Sequence, residues 1–187
     1  MKLTLIGMSN IGKTYWSKKL EADGFLCFGC DDIISRKLKI KDVASWMGQP
    51  PEEKYYHNSK IYLDFEKNAV EEVIEKIRQF RNGTKVVVDT TGSMIYLDEN
   101  LISKLKDCTK FIYLDIPANG IEIMHNKYIQ NPKPVYWGPP AALAQCYQDL
   151  LNYRLKKYKK YADLSLDYNL LRSNNFSAGD FLKLVGN

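Results

Sequence analysis

The sequence predicts a three-layer α/β domain: a parallel sheet of about five strands with helices on both faces. Three observations predict it. Short apolar runs alternate with longer amphipathic stretches along the chain. The first apolar run, Leu3–Ile6, feeds a glycine-rich turn and then an amphipathic segment. The composition is globular, with 45% hydrophobic, 26% charged and 12% aromatic residues among 187. A chain of this length buries about 70% of its unfolded surface, so it folds without disulfides or a structural metal.

Taken in order, the strands are expected at Leu3–Ile6, Phe25–Phe28, Lys85–Asp89, Phe111–Asp115 and, more weakly patterned, Leu164–Tyr168. Helical patterns lie between them at Gly12–Leu20, Asp31–Leu38, Tyr62–Phe80, Ile121–Tyr128, Ala141–Tyr161 and Ala178–Val185. In the longest, Val70, Val73, Ile74 and Ile77 recur at helical spacing. Two segments are punctuated as loops. Gly48-Gln49-Pro50-Pro51 is one, and Asn131–Pro140 holds four of the seven prolines. The second is basic and aromatic and falls between two helices, which reads as a lid over residues 130–140. The whole of 1–187 is expected to be one domain.

Charge and cysteine usage exclude several classes. Lysine and arginine number 27 against 22 acids, a net +5. The surplus is local, at Lys156, Lys157, Lys159 and Lys160. It reads as a solvated helix face, and nucleic acid is not an expected partner because no binding fold with stacking aromatics accompanies it. Cys27-Phe28-Gly29-Cys30 forms a C-x-x-C, but neither a second pair nor a histidine completes a zinc site. His57 and His125 stand in no metal or triad arrangement. No apolar run approaches the roughly 18–20 residues that span a bilayer. The N-terminal run is too short for a signal peptide, so a cytoplasmic protein is expected, as a monomer or weak homodimer.

The strongest signal is Gly7-Met8-Ser9-Asn10-Ile11-Gly12-Lys13-Thr14, a gapless G-x-x-x-x-G-K-[ST]. Its glycines let the backbone curl so that successive N–H groups face phosphate oxygens, and the helix N-terminus adds partial positive charge. Lys13 can reach the β- and γ-phosphates of ATP, and the Thr14 hydroxyl can ligate Mg²⁺. A chance match in a chain of this length is on the order of 1%, given glycine's frequency near 7%. The nucleotide is expected against Gly7, Ser9, Asn10, Ile11, Gly12, Lys13, Thr14 and Tyr15. Lys85-Val86-Val87-Val88-Asp89, an apolar run ending in an acid, offers Asp89 as the carboxylate that organises the metal, with Asp31 as a second candidate. Asp115 ends a similar run but leads into Pro117, which favours structural capping.

Beyond this loop the chain resembles the shikimate kinase family of P-loop phosphotransferases. Phe28-Gly29-Cys30-Asp31-Asp32-Ile33-Ile34 is similar to the family's D-x-D-x-x-I, of which one acid binds the substrate hydroxyls. Val43-Ala44-Ser45-Trp46-Met47 resembles its I-A-D-I-F stretch. Counting back from that stretch without a gap selects Asp32 as the substrate aspartate, whereas counting to Ile34 selects Asp31; Asp32 is preferred. Lys133-Pro134 stands where the lid carries Arg-Pro. Arg154-Leu155-Lys156-Lys157-Tyr158 followed by Ala162-Asp163 resembles the family's R-x-x-x-Y and A-D. The resemblance makes Arg154 the grip on a substrate carboxylate, for which a bidentate guanidinium is suited.

The departures bear on the substrate. Thr90-Thr91-Gly92 replaces a Gly-Gly-Gly at the end of the third strand. In Tyr62-Leu63-Asp64-Phe65-Glu66 leucine stands where F-R-x-x-E has an arginine. One of two carboxylate grips is thus missing, unless Lys54 or Lys60 supplies it. The resemblance implies a strand order 2-3-1-4-5 and an ATP- and Mg²⁺-dependent kinase acting on a small-molecule alcohol other than shikimate. Lys13, Asp32, Arg154 and Lys133 would be catalytic; Asp31, Asp32, Thr90, Thr91, Gly92 and Arg154 would meet the acceptor. A nucleoside or nucleotide kinase and a non-catalytic ATP-binding regulatory module stay open as alternatives.

Overall fold

The computed structural model describes residues 1–48, 52–116, 120–130 and 143–186. Five strands, β1 (Lys2–Ile6), β2 (Leu26–Gly29), β3 (Val86–Asp89), β4 (Lys110–Leu114) and β5 (Leu164–Leu166), form one parallel sheet in the order β2-β3-β1-β4-β5. The three central strands are near-continuous apolar runs because helices cover both their faces. Leu3, Leu5, Val86–Val88 and Phe111–Leu114 are all fully buried. The edge strands β2 and β5 are only partly covered.

The helices are α1 (Lys13–Ala22), α2 (Cys30–Leu38), α3 (Val43–Met47), α4 (Glu53–Gln79), α5 (Glu99–Lys106), α6 (Gly120–Gln130), α7 (Leu143–Tyr161), α8 (Tyr168–Arg172) and α9 (Ala178–Gly186), with one 3-10 turn at Met94–Tyr96. Trp16 of α1 stacks on Phe181 of α9 at 5.0 Å and meets Phe176 edge-on at 5.5 Å. Full burial of such a side chain contributes roughly 1.5–3 kcal/mol.

Three differences from the sequence reading have local causes. Helix α4 begins at Glu53, nine residues before the expected start at Tyr62. Its first turns bury Tyr55, Ser59 and Tyr62, a polar face that apolar periodicity does not register. Between β3 and β4, where no helix was expected, α5 is capped by the Asp98 side chain, which accepts from the Leu101 N–H at 2.9 Å. The last strand stops at Leu166 because Asp167 caps α8, accepting from Asn169 and Leu170. Of the lid expected over 130–140, Gln130 ends α6, and 131–140, Lys133 among them, lie outside the described residues.

Register sets up the site. Asp89 is level with Leu5 of β1 on one side and Gly29 of β2 on the other. The carboxyl ends of β1, β2 and β3 therefore bring the glycine loop, the first turn of α2 and residues 90–93 to one edge of the sheet, where ligands bind in such folds.

Candidate active site

The loop after β1 has the backbone a phosphate cradle requires. Gly7 has φ +143° and a Cβ there would sit 3.0 Å from the Leu114 carbonyl oxygen; Gly12 has φ +116°. Asn10 also takes a positive φ of 64°. Lys13 is buried and its ammonium donates to the carbonyls of Gly7 at 2.9 Å and Met8 at 3.0 Å. Burial pulls its pKa down, against the nearby carboxylates of Asp89 and Asp31. Burial likewise pushes the Asp89 carboxyl up, while Lys13 and a hydrogen bond with Thr14 oppose it. Asp89 and Thr14 thus stand together beside Lys13, a hydroxyl and a carboxylate fit to share a magnesium ion with phosphate oxygens.

One cavity of about 500 Å³ runs from this loop across the sheet edge. Ser9, Asn10, Gly12, Lys13, Thr14 and Tyr15 line one end; Gly7 and Ile11 do not line it and serve the loop's shape. Asp31, Tyr62, Leu63 and Arg154 line the other, and Asp89 through Ser93 lie along the floor.

The two aspartates of α2 separate here. Asp31 and Ser35, one turn apart on one helix face, both line the cavity. Asp31 Oδ1 accepts from the Tyr62 hydroxyl at 2.8 Å. Asp32 is absent from the lining, and its carboxylate folds over Gly29, where a Cβ would meet it at 2.6 Å. The structure therefore brings Asp31, not the preferred Asp32, to the cavity. The count to Ile34 stays within one helix. The count from Val43 crosses the connection after α2, and connections tolerate changes of length.

Arg154 of α7 is 4% exposed and lines the cavity. Its Nε donates to the Tyr96 hydroxyl at 3.2 Å and its guanidinium lies 5.1 Å above the Tyr96 ring. Tyr96 in turn stacks on Tyr153 at 5.8 Å. Among the described residues no carboxylate comes within 4.0 Å of Arg154. One turn further on, the Tyr158 hydroxyl donates to the Gly92 carbonyl. A Cβ on Gly92 would lie 2.8 Å from Ser9 Oγ and 3.2 Å from Arg154 Nη1, so this glycine is where the loop and the arginine meet.

Thr90 and Thr91 line the floor, but their hydroxyls are engaged. Thr90 Oγ1 donates to the Leu5 carbonyl at 2.7 Å, and Thr91 Oγ1 lies 3.1 Å from Ser93 Oγ. Leu63 lines the cavity with no polar atom to offer. Lys54 and Lys60 do not replace the missing arginine: neither lines the cavity, and Lys54 pairs with Glu52 at 3.1 Å. Lys41 does line it, as do Lys13 and Arg154.

Sequence reasoning missed the polar face of α4. Ser59, Tyr62, Leu63 and Glu66 fall at i, i+3, i+4 and i+7; the first three line the cavity and Glu66 is fully buried beneath it. That spacing was the available signal. Elsewhere, Cys27 and Cys30 carry free thiols pushed up by burial, unsuited to redox exchange. In the lysine-rich stretch Lys159 pairs with Asp115 at 3.7 Å and Lys160 pairs with Glu99. Asp115 also accepts from the Ile116 N–H at 2.8 Å, a structural role. No helix among the described residues is long and apolar enough to cross a membrane.

No protein-family model and no curated protein matches this sequence. Solved structures do. A shikimate kinase from Acinetobacter baumannii, in complex with shikimate, is 20% identical with a TM-score of 0.67, over 98% of this chain and 89% of that one. The shikimate kinase of Bacteroides thetaiotaomicron is 16% identical with a TM-score of 0.68, over 100% and 99% of the two chains. That of Aquifex aeolicus is 17% identical with a TM-score of 0.68, over 100% and 96%. This chain has the P-loop kinase fold of the shikimate kinases.

Proposed function

We propose that this protein is an ATP-dependent kinase that transfers the γ-phosphate to an alcohol carrying an anionic group, and that the alcohol is not shikimate. The observation that carries the reading is the single cavity with Lys13 and Thr14 at one end and Asp31 and Arg154 at the other. Loop N–H groups and Lys13 hold the phosphates. Thr14 and Asp89 would hold Mg²⁺ alongside ATP, and the ion would supply charge neutralisation at the phosphates. Asp31, held by Tyr62, orients the acceptor hydroxyl and takes its proton as the phosphoryl group arrives. Arg154, a buried cation with no carboxylate partner among the described residues, supports an anion on the acceptor and charge on the transferring group.

Leu63 and the spent hydroxyls at Thr90 and Thr91 argue against shikimate. A carboxylate there has one arginine where two would serve, and each hydrogen bond to a charged group is worth about 1.5–3 kcal/mol. The affinity deficit is roughly 10- to 150-fold. A coupled assay giving kcat/KM near 10⁴ M⁻¹s⁻¹ or above with shikimate would overturn this.

The acceptor is sought by thermal shift with a non-hydrolysable ATP analogue, Mg²⁺, and a panel of polyols, sugar acids and nucleosides. Stabilisation follows RT ln(1 + [L]/Kd), so a weak true acceptor registers at millimolar concentration. The expected result is ATP consumption dependent on one acceptor class. ATP binding without acceptor-dependent turnover would instead mark a non-catalytic nucleotide-binding module.

A further inference from the structure

Below the acceptor end, two hydroxyls donate to two carboxylates, one lining the cavity and one buried. Tyr62 donates to Asp31, and Ser93 Oγ donates to Glu66 Oε2 at 2.8 Å. Thr91 Oγ1 lies 3.1 Å from Ser93 Oγ, and its side chain neighbours Tyr62. Since Tyr62 and Glu66 are one turn apart on α4, that single helix carries both the donor to Asp31 and the acceptor of Ser93.

Among the described residues, Glu66 has one hydroxyl donor and no adjacent cation. It is 0% exposed, and among the described residues no lysine or arginine nitrogen lies within 4.0 Å. Its Oε1 has no hydrogen-bond partner among them. A buried charge with one bare oxygen is costly, whereas a neutral carboxyl is much less so.

We propose that Glu66 is a positioning residue that works as an uncharged acid, receiving the Ser93 hydroxyl so that Thr91 and Tyr62 are set behind Asp31, and that its anionic form opposes occupancy of the cavity by phosphate. The proposal rests on the kinase reading above.

The groups facing Glu66 are Asp31 and Cys30 of α2, Lys13 at the phosphate loop, Arg154 and Tyr158 of α7, and Tyr62 on its own helix. Burial, aided by Asp31, holds its carboxyl up at about 8, while Ser93, Arg154 and Lys13 pull the other way. Below that pH Glu66 is neutral. Above it, a negative charge faces the same Lys13 and Arg154 that would attract the nucleotide and acceptor.

The test compares the full-length protein with Glu66→Gln, which keeps an acceptor for Ser93 and cannot ionise. Infrared titration of the unliganded protein should show a protonated carboxyl band at pH 7 that is lost with a midpoint near 8 and is missing in the variant. Its absence at pH 7 would overturn the proposal. Calorimetry with the Mg²⁺ complex of a non-hydrolysable ATP analogue should give equal affinity for both proteins at pH 7. On raising the pH by about two units, only the native protein should weaken, by about fivefold if binding raises the group by about one unit. Identical pH profiles, or an E66Q protein that binds poorly at pH 7 while remaining folded, would overturn the proposal. Failure of both proteins to bind at every pH would overturn the kinase reading instead, and the proposal with it.

Discussion

At the end of the cavity where we place the phosphates, eight consecutive residues from Gly7 to Thr14 supply the backbone turn, a cation and a hydroxyl. At the end where we place the acceptor, α2, α3, α4, the segment after β3 and α7 each contribute one to three side chains, drawn from residues 31 to 154. The first end is local and made largely of main chain, so its shape is independent of most side-chain identities. The second is a convergence of side chains whose partners are themselves held by other side chains, as Tyr62 holds Asp31 and Tyr96 holds Arg154. Under the proposed function, a change of acceptor would call for changes at the second end alone. The departures from the shikimate kinase pattern at Leu63, Thr90 and Thr91 lie there, while the glycine loop matches its motif throughout.

The comparison can be broken hardest at Lys13. Lys13→Ala removes the one side chain of the loop aimed at the β- and γ-phosphates, a charge-assisted contact of about 1.5–3 kcal/mol in binding and more where charge develops in the transition state. Calorimetry should show ATP affinity at least tenfold weaker. Unchanged affinity would mean that the loop is not a phosphate site.

A second break separates the ends. Asp31→Ala should lower acceptor-dependent turnover by roughly 10²- to 10⁴-fold, the usual worth of a positioned base, with ATP affinity within a few-fold of native. Asp32→Ala should leave turnover nearly unchanged, since its carboxylate lies over Gly29 outside the cavity. The reverse ranking in a steady-state assay would restore Asp32 to the role that gapless counting suggested.

Gly92 sharpens the comparison because both ends touch there. Gly92→Ala places a methyl 2.8 Å from Ser9 Oγ and 3.2 Å from both Ser9 N and Arg154 Nη1. The flexible hydroxyl can turn away, but the loop nitrogen and the pinned guanidinium must shift. We expect turnover to fall about tenfold, the scale of a small misplacement of reacting groups, with a loss in thermal stability of about 1–3 kcal/mol. Native kinetics would show that the loop and arginine adjust independently.

The smallest effect concerns how α2 is held against α4. Glu72 pairs with Lys37 of α2 at 2.9 Å and Lys76 of α4 at 2.7 Å, and these hydrogen bonds hold its carboxyl down at about 2. A depressed folded-state pKa contributes stability that is present above the unfolded value near 4.3. That contribution is lost as pH falls from there through about 2. Because the pair is partly solvated, Glu72→Gln should cost only about 0.2–1 kcal/mol at neutral pH. Denaturant titrations of the two proteins should converge in acid; a gap that persists at pH 2 would assign the effect to packing.

What the sequence by itself determined is whatever depends on neighbours along the chain. The glycine loop was legible because a backbone cradle is contiguous, and its two glycines answer to φ values that follow from its own curl. Strands β1, β3 and β4 were legible because burial on both faces demands unbroken apolar runs. Arg154 was legible only by its likeness to a known family pattern. The tertiary structure alone decided which aspartate reaches the cavity, since a rotation of about 100° per residue separates Asp31 from Asp32. It alone made Glu66 a buried acid: in sequence it is one of several glutamates on a charged helix, and only the packing of Ser93, Asp31 and α7 around it withdraws the water, with no cation within 4.0 Å among the described residues. Local propensity is settled between adjacent residues, whereas desolvation depends on everything that closes over a group.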